Sequence, residues 1–245
     1  MQLTQLFQDG PEEWNGLLVY PVKMGDYPLF LAARESIIAS QQTFPAPYAT
    51  MKYLHALYGM KPLFGRLCLM LALAFGFPVE NALPIYPRTD GEALISLLVV
   101  QGERKGEITP GNFGQLRALI ARQNGLELPD ETQNEELLEA RRDLNAKDAI
   151  PLKADVESLV YSVALQARAD PAAVLDWTVR RFQATERALD RAIGHLIASV
   201  TLAAGGKFKG GSPYPSWKYD REETTQAIEP LNALSGRLRG AVEQR

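Results

Sequence analysis

The spacing of apolar residues along the first part of the chain predicts a succession of helices. Apolar positions recur every three or four residues over 26–40, where Asp26 can cap the helix and Pro28 suits its first turn. Another helix is expected over residues 48–58. The apolar run 62–75 predicts a helix buried in the core.

Shorter runs rich in aliphatic and β-branched residues predict a small β component. Residues 17–22 suit a short strand, and residues 94–100 suit a longer one. The longer strand can pair with residues 106–109 through the turn at 102–105. The proline-punctuated segment 77–88 between them is expected to be an extended connector.

The clearest periodicity lies in the second half, where three further helices are expected. One follows the cap pair Thr109-Pro110 and ends before Asn124-Gly125, and a second covers 152–167. The third begins at Asp170-Pro171 and carries one apolar stripe over about eight turns. Its stripe comprises Val174, Thr178, Phe182, Thr185, Leu189, Ile193, Leu196 and Val200.

An acidic stretch is the best candidate for a boundary between two halves. Residues 127–148 carry eight acidic against three basic side chains, which indicates a solvated helix and linker. The expected fold is mainly α with a small β element (α+β), a helical bundle around the long amphipathic C-terminal helix. Its expected parts are an N-terminal helical region with a short β-hairpin (1–125), the acidic linker (126–150), a C-terminal helical hairpin with a Gly/Lys/aromatic tail (151–220) and a polar C-terminal segment (221–245).

Composition and charge indicate an ordinary globular protein. Hydrophobic residues make up 46% of the 245 residues, charged residues 22%, and the formal net charge is −3. These values argue against general disorder and give no support to a duplex-DNA binder, which usually shows a basic excess. The single cysteine, Cys68, forms no internal disulfide, and no signal sequence is recognisable, so a soluble cytoplasmic protein outside the membrane is expected.

The chain shows no motif for catalysis, a cofactor or a metal ion. His55 and His195 lie far apart in sequence without cysteine partners, which fits no zinc-binding spacing. The glycine- and lysine-rich segment 205–211 differs from a phosphate-binding loop because its glycines end a helix and do not open one. The sequence therefore predicts a non-enzymatic protein with no catalytic, cofactor-binding or metal-binding residues.

Basic and aromatic residues are interleaved at the end of the long helix and in the tail. Such a composition can stack on single-stranded nucleic acid, dock on a protein partner, or simply pack within the fold. Arginines along the helix are partly neutralised by neighbouring acids, so a protein partner is preferred over nucleic acid. The residues that carry the partner-binding hypothesis are Trp177, Arg181, Phe182, Lys207, Phe208, Lys209 and Trp217.

Five sequence blocks, taken in this order, resemble an uncharacterised family of phage and prophage proteins of Gram-positive bacteria. The resemblance spans nearly the whole chain, and none of its blocks is a catalytic motif. The blocks are Tyr20-Pro-Val-Lys-Met-Gly-Asp-Tyr-Pro-Leu-Phe30, Ile108-Thr-Pro-Gly-Asn-Phe113, Gln123-Asn-Gly-Leu-Glu-Leu-Pro129, Trp177-Thr-Val-Arg-Arg-Phe182 and the closing Gly206-Lys-Phe-Lys with Pro215-Ser-Trp217.

The resemblance implies a role in phage tail assembly. Genes of that family tend to lie among tail genes near the tape-measure gene, which implies a chaperone-like protein binding a tail or tape-measure polypeptide in the bacterial host cytoplasm. A structural virion subunit of the tail or connector is the alternative, and a nucleic-acid-binding module is a third. The long apolar stripe can supply the binding face, or can pack on residues 152–167 and 67–75. Homo-oligomerisation stays open.

Overall fold

The computed structural model describes residues 9–129, 155–208, 212–214 and 216–218. The chain divides into two compact units, Met1–Glu186 and Arg187–Arg245. This division falls within the long C-terminal helix, whereas the sequence places a boundary in the acidic stretch, most of which lies outside the described residues. Residues 155–186, expected in a separate C-terminal hairpin, therefore belong to the same unit as the N-terminal region.

A β-hairpin begins the described part of the first unit. Strands β1 (Glu12–Trp14) and β2 (Leu17–Val19) pair antiparallel. The turn residues Asn15 and Gly16 have φ values of 47° and 78°, the left-handed backbone that a two-residue hairpin turn requires. Since Leu17 is completely buried, the hairpin contributes one face to the core.

Four helices follow, and three of them pack on the last. They are α1 (Tyr27–Ala33), α2 (Glu35–Ile38), α3 (Tyr53–Gly59) and α4 (Lys61–Phe75). The sequence predicts α1 and α2 as one helix, but the structure interrupts it at Arg34. The prediction of a buried helix at α4 is confirmed, because every residue from Met70 to Phe75 is buried.

The helices of the described part are short or polar in comparison with a membrane span. Among the described helices, none is by itself long and apolar enough to cross a bilayer. The consecutive pair α3 and α4 meets the criterion when the two helices are joined, although they are bent by 116° relative to each other.

A three-stranded antiparallel sheet comes next, in the order β3 (Ile85–Asp90), β4 (Ala93–Gln101) and β5 (Arg104–Ile108). The predicted β4–β5 hairpin is present, whereas β3 begins within the segment 77–88 that is expected to be an extended connector. The Gln101 side chain links this sheet to the rest of the core. Its amide nitrogen donates to the carbonyls of Leu18 and Phe75, at 2.9 and 2.8 Å.

Helix α5 (Phe113–Gln123) carries a buried arginine that satisfies backbone groups at the end of α2. The Arg117 guanidinium donates to the carbonyls of Ile37 and Ala39, at 2.7 and 3.0 Å. It also lies over the Tyr53 ring, with 3.9 Å from its central carbon to the ring centroid. The charge is thus accommodated by hydrogen bonds and an aromatic face, as burial requires.

The remaining helices are α6 (Val156–Ala167), the short α7 (Pro171–Val174) and the long α8 (Val179–Ala203). Asp170 caps α7 as predicted, its side chain accepting from the NH of Ala172. The sequence predicts α7 and α8 as one continuous helix, but the structure breaks it at residues 175–178. The α+β class with a mainly helical composition is confirmed.

Asp155 caps α6 and gives a pH-dependent prediction. The NH and hydroxyl of Ser158 donate to its carboxylate and hold its pKa below the ordinary value. Because the pKa is lower in the folded than in the unfolded protein, the ionised carboxylate stabilises the fold above the unfolded pKa of about 3.9. This stabilisation is lost as the pH falls through the folded pKa. Asp155→Ala should therefore lower the thermal midpoint at pH 7, and by much less at pH 3. Asp155→Asn, which keeps the acceptor, should behave closer to the unsubstituted protein; an equal loss at both pH values would contradict the assignment.

Candidate protein-binding surface

Three of the five sequence blocks quoted above meet at one hydrogen-bonded junction in the first unit. The NH of Val22 donates to Oδ1 of Asn124, and the NH of Val179 donates to the carbonyl of Val22, each at 2.8 Å. The NH of Met24 donates to the carbonyl of Trp177 at 2.8 Å. Asn124 is completely buried, so this junction fixes the start of α8 against the N-terminal segment.

Trp177 and Arg181 form a half-exposed pair beside this junction. The Arg181 guanidinium lies 4.5 Å from the centroid of the Trp177 ring, and one of its nitrogens is 3.6 Å from Oδ2 of Asp9. The other Asp9 oxygen accepts from the hydroxyl of Thr178 at 2.9 Å. The pair is held in place by its neighbours and keeps an accessible edge, since more than half of the Arg181 side chain is exposed.

Phe182 has a different environment from the other residues of the partner-binding hypothesis. Its side chain is 0% exposed and ranks among the largest fully buried side chains. It therefore presents no surface to a partner and acts in the core of the first unit. Val179, one turn earlier in α8, is equally buried.

The apolar stripe of α8 continues into the second unit, where it is exposed. Ile193, Leu196, Ile197 and Val200 are 38%, 63%, 61% and 61% exposed. At 3.6 residues per turn these four side chains fall within an arc of about 100°, the arc that also contains the buried Phe182. They are called the α8 stripe below. One helix face is thus core in the first unit and accessible in the second.

The described tail residues lie along the opposite side of α8. His195 Nδ1 donates to the carbonyl of Tyr214 at 2.9 Å, and Arg191 Nε donates to the carbonyl of Trp217 at 3.2 Å. Gly194 lies against the Tyr214 ring so closely that an added Cβ would be 2.8 Å from it. The tail therefore runs back along the helix and leaves the α8 stripe uncovered by these residues.

The remaining residues of the partner-binding hypothesis belong to the second unit. Lys207 is exposed, Phe208 is half-buried, and Trp217 is 57% exposed with Lys218 over its ring. Lys209 lies outside the described residues. The stripe predicted from the sequence lacks Ile197, although Ile197 follows Ile193 by four positions and therefore lies on the same helix face.

Two side chains able to do chemistry, His55 and Cys68, lie partly buried in the first unit. His55 Nε2 donates to the carbonyl of Leu94 at 2.9 Å, and burial raises the pKa of the Cys68 thiol, which disfavours the reactive thiolate. Within the described ranges, no group of three or more histidine, cysteine or acidic residues could hold a metal ion.

Comparisons with family models, curated proteins and solved structures gave no match.

The contact between Gly194 and Tyr214 makes the tail sensitive to one methyl group. Gly194→Ala favours the helix by up to about 1 kcal/mol of intrinsic propensity, but its Cβ would displace the Tyr214 ring. Hydrogen exchange at Tyr214–Lys218 should therefore become faster while α8 stays helical. Gly114→Ala is the matched control, because a Cβ at this glycine of α5 meets nothing within 4 Å. Unchanged exchange in the tail of Gly194→Ala would contradict the described packing.

Proposed function

We propose that this protein is a non-enzymatic phage tail assembly protein that binds a tail or tape-measure polypeptide in a chaperone-like manner. The observation that carries the proposal is the α8 stripe. Single exposed apolar residues are common on protein surfaces, but four aliphatic side chains on one helix face form a contiguous patch of the kind that marks interaction sites.

The energetic reason for a partner is the cost of leaving the α8 stripe in water. Fully burying one such side chain is worth about 1.5–3 kcal/mol. Three of the four are more than half exposed, so a partner that covers the stripe gains several kcal/mol from these residues alone. Asp190 is exposed on one flank of the stripe and can supply part of the polar rim that protein interfaces usually have.

The choice of a phage tail partner rests on the resemblance of the five sequence blocks. A tape-measure polypeptide is long and helical, and its apolar stripes are exposed until it is assembled, so it needs a protein with a complementary apolar surface. The α8 stripe is a surface of that type. Three of the resembling blocks share a structural role. They form the junction of Val22, Asn124 and Trp177, which holds the start of the helix that carries the stripe.

Co-expression with a tape-measure polypeptide from the genome that encodes this chain tests the proposal. The two chains should co-purify through affinity capture and size exclusion, and this protein should be missing from mature particles. Separate elution, with the protein present in mature particles, would favour a structural virion subunit. Binding to single-stranded nucleic acid that weakens steeply with salt and with Lys207→Ala plus Lys209→Ala would favour the nucleic-acid module.

A further inference from the structure

We infer that Pro87 closes the outer edge of β3 to a further strand and thereby prevents this chain from pairing edge to edge with a second copy. The inference concerns the three-stranded sheet and is independent of the proposed function. It rests on the hydrogen-bond register of β3 against β4, on the place of Pro87 in that register and on the exposure of the strand.

The two edges of the three-stranded sheet have different surroundings. The β5 edge lies against the turn of the β1–β2 hairpin. Nη1 of Arg104 donates to the carbonyl of Gly16 at 3.4 Å, and a Cβ added to Gly16 would lie 3.8 Å from the carbonyl oxygen of Lys105. β3 is the other edge strand, and its residues from Tyr86 to Asp90 are exposed. An exposed edge strand presents unpaired backbone groups to other chains, so it requires protection.

The register of β3 on β4 determines which of its backbone groups face outward. The NH of Val100 donates to the carbonyl of Pro84 at 3.0 Å, so these two residues form a hydrogen-bonded pair of the antiparallel ladder. Such pairs alternate with pairs that exchange no hydrogen bonds. In the observed register the next hydrogen-bonded pair contains Tyr86, whereas Ile85 and Pro87 direct their backbone groups away from β4.

Pro87 removes the donor that an ordinary residue would present at this edge. Proline has no N–H, and its ring occupies the place from which the hydrogen would point outward. Sheets tolerate proline at such a position, because no bond of the existing ladder is lost. Beyond Pro87 the register shifts between Arg88 and Thr89, and such an irregularity disrupts regular pairing. In the regular part of β3, Ile85 is thus the outward-facing residue that keeps both backbone groups.

A second copy of this chain is the occupant that Pro87 excludes. Identical edges can pair antiparallel about a twofold axis, with Tyr86 opposite its counterpart and Ile85 opposite the Pro87 position of the other copy. Each Ile85–Pro87 pair would then exchange one hydrogen bond where ordinary residues exchange two, and the proline ring would meet the facing carbonyl. Because the symmetry repeats this defect, both ends of the shared ladder are weakened, and the edge does not self-associate.

Replacing Pro87 by valine in the full-length chain tests the inference. Pro87→Val restores the outward N–H and places a residue of high strand propensity at an exposed position. Light scattering coupled to size exclusion should show a mass about twice that of the unsubstituted chain as the protein concentration rises. Pro84→Val is the matched control, because its new N–H points towards Val100 inside the sheet. It should keep the mass of the unsubstituted chain.

Residue-resolved hydrogen exchange distinguishes strand pairing from nonspecific aggregation. In the associated form of Pro87→Val, the amides of residues 85 and 87 should exchange about tenfold more slowly than in the dilute protein. Pro87→Thr restores the same donor with a polar residue of high strand propensity, so it should associate in the same way. Circular dichroism checks that each variant keeps its fold.

Three outcomes would overturn the inference. The first is that folded Pro87→Val or Pro87→Thr keeps the mass of the unsubstituted chain at every concentration. The second is that Pro84→Val associates to the same extent as Pro87→Val. The third is association without protection of the amides at residues 85 and 87. None of these outcomes bears on binding to a tape-measure polypeptide, so the proposed function is tested separately.

Discussion

Phe182→Ala should lower the free energy of unfolding of the first unit by about 3–5 kcal/mol, as expected when a buried phenylalanine leaves a cavity. Phe182 is completely buried in the first turn of α8, close to the junction that fixes the helix start. The loss is large compared with the total stability of about 5–15 kcal/mol that is usual for a domain. Chemical denaturation followed by circular dichroism measures it.

Leu196→Ala is the control for this prediction, because it lies on the same face of the same helix. Leu196 is 63% exposed, so its truncation removes little packing and should change the free energy of unfolding by less than about 0.5 kcal/mol. Similar losses for the two variants would mean that this face of α8 is buried at Leu196 as it is at Phe182. The two substitutions thus separate the core portion of the stripe from its accessible portion.

Arg117→Met should destabilise the first unit by about 2–3 kcal/mol. Methionine keeps much of the aliphatic stem, but the carbonyls of Ile37 and Ala39 lose a charged donor inside the protein. The stacking of the guanidinium on Tyr53 is lost as well. The midpoint and slope of denaturant unfolding give the change in free energy.

Arg122→Met provides the matched comparison for Arg117 on helix α5. Arg122 pairs with Glu12 at the surface, where about half of each side chain is exposed. Surface ion pairs contribute about 0–1 kcal/mol, so this variant should be close to the unsubstituted protein. A greater loss at Arg122 than at Arg117 would contradict the assigned role of the buried guanidinium.

Local sequence patterns predict an element correctly where the pattern of apolar residues agrees with the burial of that element in the fold. The continuous apolar run at α4 predicts burial because every face of that helix contacts the core near its end. The β4–β5 hairpin was predicted because aliphatic runs flank a turn that contains Gly102, with φ of 63°. The predicted cap at Asp170 is also present, since a cap depends on residues adjacent in sequence.

Long-range pairing decides the features that the sequence pattern did not reveal. The spacing of Val174, Thr178 and Phe182 predicts one continuous helix. In the structure, residues 175–178 are not helical, because they pair with the N-terminal segment. The partner carbonyls and amides lie some 150 positions away, so no window of periodicity can show them. Strand β3 was missed for a related reason, because it is an exposed edge strand that contains Pro87 and lacks alternation.

Strand β1 is absent from the elements predicted above, although the sequence carries a local signal for it. Asn15-Gly16 is a strong indicator of a two-residue hairpin turn. In the candidate surface, the sequence could identify the stripe of α8 but not its division into buried and exposed parts. That division depends on where the first unit ends, which is a property of tertiary packing.

The most direct test of the account compares Leu196→Asp with Leu202→Asp in co-purification with the tape-measure polypeptide. A charge in the middle of the α8 stripe cannot be buried against an apolar partner surface without a large desolvation cost, so Leu196→Asp should abolish co-purification. Leu202→Asp carries the same charge on the tail side of the same helix and should retain the complex. Retention of the complex by Leu196→Asp, or its equal loss in both variants while both stay folded, would contradict a binding role for the stripe.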